Sequence, residues 1–131
     1  MDFRLTEDQE QLRETARAFA TAEMPDVAKE LEEKDEALSK AWLKRYAEMG
    51  FLGVNVSTKL GGLGLGNLEA LIVLEEFAKI SPAVAFPIFE SSVGPIRAVE
   101  HFAGSSLAAS VVPKVCAGEL VCAVAMSEPD A

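Results

Sequence analysis

Asn67-Leu68-Glu69-Ala70-Leu71-Ile72-Val73-Leu74-Glu75-Glu76-Phe77-Ala78-Lys79 is the stretch whose reading decides the architecture. Leu68, Leu71, Ile72, Leu74 and Phe77 recur at helical spacing, with only Glu69, Glu75, Glu76 and Lys79 as polar relief. A helix with so little polar face is expected to be buried on nearly every side, which requires other helices around it. Asn67 is the expected N-cap, because a short polar side chain can accept from an orphan first-turn amide.

Immediately before it, Lys59-Leu60-Gly61-Gly62-Leu63-Gly64-Leu65-Gly66 carries four glycines. A phosphate-cradling loop of the Walker type would end in Gly-Lys-Ser/Thr, and none is present. A dinucleotide fingerprint fails as well, since Asn67 and Glu69 stand where its last glycine would be. The stretch reads as a structural loop within residues 51–66, its glycines supplying backbone angles that other residues avoid.

Farther toward the N-terminus, Thr6 and Gln9 form a capping box, and Leu12, Ala16, Phe19 and Ala20 share a helical face. Pro25 is expected to close that helix or open a second one through Val27, Leu31 and Leu38. Ser39 caps a third, carrying Trp42, Leu43 and Tyr46 and ended by Gly50 and Gly53. Glu30, Glu32, Glu33, Asp35 and Glu36 read as a solvated face rather than a metal site.

Toward the C-terminus, Ser81-Pro82 restarts the chain as helix to about Phe102, interrupted by Pro87 and Pro95. Gly104 breaks it, and a last helix covers roughly Leu107 to Cys116. Leu120-Val121-Cys122-Ala123-Val124-Ala125-Met126 has no helical period and reads as one β-strand. A lone strand has no partner edge, so it is expected to belong to a sheet outside this chain. The fold expected is therefore an all-α bundle of about five or six helices over residues 1–118, with residues 119–131 as the first strand and turn of a second, β-type domain.

The chain has 131 residues, half of them apolar, with 21 acidic against 12 basic side chains and a net charge of -9. That balance disfavours nucleic acid and anionic membrane surfaces as partners. Met1 to Asp8 has no signal-peptide core, and no apolar run approaches the length of a spanning helix. Cys116 and Cys122 lack metal-ligand spacing and read as small buried hydrophobes in a reducing compartment, so a cytoplasmic location is expected. His101 reads as structural, and no nucleophile–base pair, catalytic residue or metal site is visible.

Three segments in series carry a family resemblance. They are Leu60-Gly61-Gly62-Leu63-Gly64-Leu65, Glu75-Glu76-Phe77-Ala78, and Ala117-Gly118-Glu119 followed by Ala125-Met126-Ser127-Glu128-Pro129. In this order the chain resembles the N-terminal part of acyl-CoA dehydrogenases, and Thr6 to Gln9 and Met49 to Gly53 fit as well. The resemblance implies FAD as cofactor and an acyl-CoA thioester as substrate, dehydrogenated at its α and β carbons. It also implies an electron-transfer flavoprotein as electron acceptor and a homo-oligomer, tetramer or dimer, as the complete protein. Carried over position by position, Val124, Ala125, Met126 and Ser127 would run beside the flavin, and Ala85, Phe89 and Val93 would line the acyl cavity. Many members carry an aromatic at the position of Val124, and Pro87 departs from the family pattern. The catalytic carboxylate of such enzymes lies in a later region, so this chain alone is expected to be inactive and to hold FAD weakly or not at all. Two alternatives stay open: a relative acting on acyl-carrier-protein or nitroalkane substrates, and a stand-alone helical module pairing with a longer subunit.

Overall fold

A computed structural model describes residues 4–129. Among them six α-helices form: α1 Glu7–Lys34, α2 Lys40–Glu48, α3 Asn67–Ala78, α4 Pro82–Ile88, α5 Pro95–Phe102 and α6 Ser105–Cys116. A short 3-10 turn covers Thr58–Leu60, and a π turn covers Phe89–Val93. The all-α bundle is thus the observed fold.

α1 begins as its sequence dictates. Thr6 accepts from the Gln9 amide, and the Gln9 side chain accepts from the Thr6 amide in return. The helix does not end at Pro25, and the expected second helix is absorbed into it. Proline removes one amide donor and crowds the carbonyl four residues back. Here Pro25 sits on the exposed face, while Ala16, Phe19, Ala20, Met24, Ala28 and Leu31 are buried on both sides of it. That burial outweighs the local cost, each large apolar side chain contributing about 1.5–3 kcal/mol.

α1 packs mainly on α3, and both meet α4. Phe19, Tyr46, Phe51 and Phe77 form the centre, with ring centroids 5.0–6.5 Å apart and mostly edge-to-face. The Tyr46 hydroxyl reaches Met24 Sδ at 2.8 Å and donates to the Val84 carbonyl at 3.1 Å, tying α2 to α1 and α4. One carboxylate is buried beside this core. Glu76, 3 % exposed, accepts from Arg17 Nε and Nη2 at 3.1 Å and from Lys79 Nζ at 2.8 Å. A second, smaller core gathers Val56, Ile96, Ala108, Val112, Val115 and Cys116 under α5 and α6.

α3 differs from expectation at its start. Leu68 and Leu71 are each 50 % exposed, so only the face carrying Ala70, Ile72, Val73, Glu76 and Phe77 is buried. Asn67 is not the cap either. Gly66 holds that position without a side-chain bond, and Asn67 Oδ1 instead accepts from Asn55 Nδ2 at 2.6 Å.

The glycine loop is structural. The amides of Gly62, Leu63, Gly64 and Leu65 donate to the carbonyls of Ser57, Gly53, Val56 and Val54, leaving none of the four for a phosphate. Gly62 is required by close approach, because a Cβ there would lie 2.2 Å from the Val56 carbonyl oxygen.

After Gly118 the backbone carries no regular secondary structure through Glu128. The last backbone bond of this region joins the Leu120 amide to the Lys114 carbonyl at 3.2 Å. No strand forms among the described residues, since no neighbouring edge supplies hydrogen bonds. Asp130 and Ala131, the end of the expected 119–131 unit, lie outside the described residues, as do Met1 to Phe3.

Candidate functional site

The π turn is built by its prolines. Pro87 and Pro95 each lack an amide donor, and Gly94 closes the wider turn by donating to the Phe89 carbonyl at 2.7 Å. Such single wide turns recur at functional positions in helices. Ser91 and Ser92 are buried inside it: the Ser91 hydroxyl donates to the Ile88 carbonyl at 3.3 Å, and Ser92 Oγ accepts from the Val54 amide at 3.2 Å. Gly94 is small by need, because a Cβ would stand 2.9 Å from the Phe89 ring.

This turn separates the three acyl-lining candidates. Ala85 is 4 % exposed and sits inside the main core. Phe89 is 36 % exposed and packs against the open Phe86 ring at 5.6 Å. Val93 rests partly against the core and lines an open cleft of about 430 Å³ with Asn67, Leu71, Arg97 and His101. Spacing of four places residues on one face only in an α-helix, and the π turn alters that register.

The four flavin candidates lie together along the terminal segment. Val124 is 53 % and Met126 83 % exposed, and Ala125 and Ser127 are exposed too. Among the described residues their backbone groups find no hydrogen-bond partner. Free amides, free carbonyls and one hydroxyl are the donor and acceptor set that a flavin ring edge takes up, so these residues fit FAD.

Just upstream, Leu120, Val121 and Cys122 close a wedge with Leu43, Leu52, Pro87, Glu90, Ser91 and Val115. Its free volume is about 10 Å³, the room of roughly one water. Burial raises the Glu90 carboxyl above the usual range. Burial, and then the Glu90 charge, raise the Cys122 thiol. Burial pushes the Cys116 thiol up to about 11, with Glu100 adding to it, so neither cysteine is an activated nucleophile. Glu90 and Gly94 escape a sequence reading based on spacing of four. The Pro87 and Pro95 interruptions were the available signal for them.

No group of metal-ligating side chains occurs among the described residues, and no helix is long and apolar enough to cross a membrane. His101 is exposed in the last turn of α5, beside Phe102.

An α-helical domain whose exposed end segment runs on from a π-turn wedge is thereby defined. The family model described as acyl-CoA dehydrogenase, N-terminal domain, matches residues 6–119, and the chain belongs to that family. It is 33 % identical over 129 residues to isovaleryl-CoA dehydrogenase, mitochondrial, of Bos taurus, covering 97 % of this chain and 30 % of the relative. It is 32 % identical to acryloyl-CoA reductase (NADH) of Anaerotignum propionicum, over 100 % of this chain and 33 % of that protein. Among solved structures, the FAD complex of PigA superposes with a TM-score of 0.85 at 28 % identity, over 100 % of this chain and 34 % of that one. The chain spans about a third of the length of these relatives.

Proposed function

We propose that this chain is the N-terminal domain of a flavin-dependent acyl-CoA dehydrogenase whose complete form removes hydrogens from the α and β carbons of an acyl-CoA thioester. The observation that carries the reading is the family match over residues 6–119 running directly into an exposed, unpaired segment of the right chemistry at Val124–Ser127. FAD held along Val124–Ser127 would supply the hydride acceptor for the β carbon.

This chain's own part is to bind and orient. Backbone amides and carbonyls of Val124, Ala125 and Met126 meet the flavin edge, and the Ser127 hydroxyl hydrogen-bonds to it. Phe89 and Val93 contact the acyl chain, with Ala85 backing them from the core. The α-proton is taken by a carboxylate from outside this chain. Glu76 is committed to Arg17 and Lys79, and Glu90 faces a wedge too small for a substrate carbon. Electrons leave to an electron-transfer flavoprotein, and the complete protein assembles as a homo-oligomer, tetramer or dimer.

The test is anaerobic mixing of the complete protein with a panel of straight and branched acyl-CoA thioesters. Bleaching of the flavin absorbance by at least one thioester is expected. A flavin that none of them reduces contradicts the reading. The 131-residue chain alone is expected to retain no stoichiometric FAD through gel filtration and to show no turnover.

A further inference from the structure

We propose that Glu90 is a charge-sensitive positioning residue, which seats Leu120–Cys122 on the π turn when neutral and releases that segment when ionised. The wedge sets the geometry. Glu90 is half-buried in it, and among the described residues it has no ion pair and its carboxylate has no hydrogen-bond partner. α2 presents Leu43 to it, the following loop Leu52, α4 Pro87, α6 Val115, and the terminal segment Leu120 and Val121. Among the described residues that line the wedge, none besides Glu90 carries a charge. The other polar groups are Ser91, whose hydroxyl is used by the Ile88 carbonyl, and the Cys122 thiol.

A neutral carboxyl tolerates this apolar setting, with room for a single bridging water. An ionised one needs several waters, and the half-buried wedge has inner room for about one while Leu120–Cys122 is seated. The segment that must move to admit them is the least anchored wall. Among the described residues its backbone is tied to α6 by the Glu119 and Leu120 amides on the Lys114 carbonyl, and Cys122 packs at the edge of the smaller core, whereas Leu43, Leu52 and Val115 are themselves buried core residues. The direction of the Glu90 shift agrees, because a carboxyl raised on folding favours the closed form at low pH and withdraws that support as pH rises through its folded value. The seating stands on this chain alone. Its effect on the flavin, through Val124 two residues beyond Cys122, rests on the function proposed above.

The experiment is a pH titration of the 131-residue chain by NMR, following the Glu90 carboxyl carbon and the Leu120, Val121 and Leu43 methyl groups. The methyl shifts are expected to move with the Glu90 midpoint, and that midpoint to lie above that of an exposed glutamate. Glu90→Gln should hold the methyls at their low-pH positions throughout. It should also slow chymotryptic cleavage after Leu120 several-fold at neutral pH. Methyl shifts that ignore the Glu90 titration overturn the proposal, and so does cleavage of Glu90→Gln at the wild-type rate. If Glu90→Gln does not fold, the wild-type titration decides alone. Cys122→Ser should leave the Glu90-linked transition in place, and its disappearance would assign the seating to the thiol instead. No flavin is present in this assay, so its failure leaves the enzymatic reading untouched.

Discussion

Glu76 shows how much one side chain is asked to do. Its carboxylate is 3 % exposed, and Arg17 first, with Lys79, holds its carboxyl below the usual range. A carboxyl depressed on folding adds stability above its ordinary value and loses it as pH falls through the folded value. Urea unfolding midpoints should therefore drop on acidification, and Glu76→Gln should flatten that dependence. Arg17→Met leaves a buried carboxylate short of a partner and should cost about 1–3 kcal/mol in the same measurement. Gly62 is a second such position, since a Cβ there meets the Val56 carbonyl at 2.2 Å. Gly62→Ala should cost about 3 kcal/mol or more by chemical denaturation. Gly104→Ala, where a Cβ meets nothing within 4 Å, should change little. Residue-scale features were partly legible in the sequence. The Thr6–Gln9 box and the Ser39 cap were, because capping is local chemistry. Asn67 was not, because its real partner, Asn55, is brought near by the folded glycine loop.

Elements obey propensity until tertiary packing overrides it. α1 runs through Pro25 because apolar residues on both sides of it are buried against one core. Replacing Pro25 by Ala restores an amide in mid-helix and should stabilise the protein by about 1–3 kcal/mol, read from the thermal or urea midpoint. The π turn is the opposite case. Two prolines announced an interruption at residues 87–95, but a wide turn that keeps the helix going cannot be told from a break by pattern alone. It is also why spacing of four does not put Ala85, Phe89 and Val93 on one face, and the structure distributes them between the core, an exposed ring pair and a cleft. If Phe89 bounds the acyl cavity, Phe89→Ala in the complete enzyme shifts preference toward longer or bulkier acyl chains. Unchanged relative kcat/KM across chain lengths would remove Phe89 from that role.

At the scale of the whole molecule, the expected bundle is the observed one, because amphipathic periodicity over long segments is a strong signal. Burial within it was less legible. α3 read as wrapped on every side, yet Leu68 and Leu71 face outward, together with Phe86, Phe102, Val121 and Met126. Periodicity reports that a residue is apolar, not which part of a larger protein covers it. Such a surface, on a chain spanning about a third of its relatives' length, agrees with the function proposed above. The most direct measurement of that claim is the intact mass and visible spectrum of the protein as its own gene produces it. A mass well above 14.0 kDa with bound flavin, bleached anaerobically by an acyl-CoA thioester, is the predicted result. A colourless species of 14.0 kDa would contradict it.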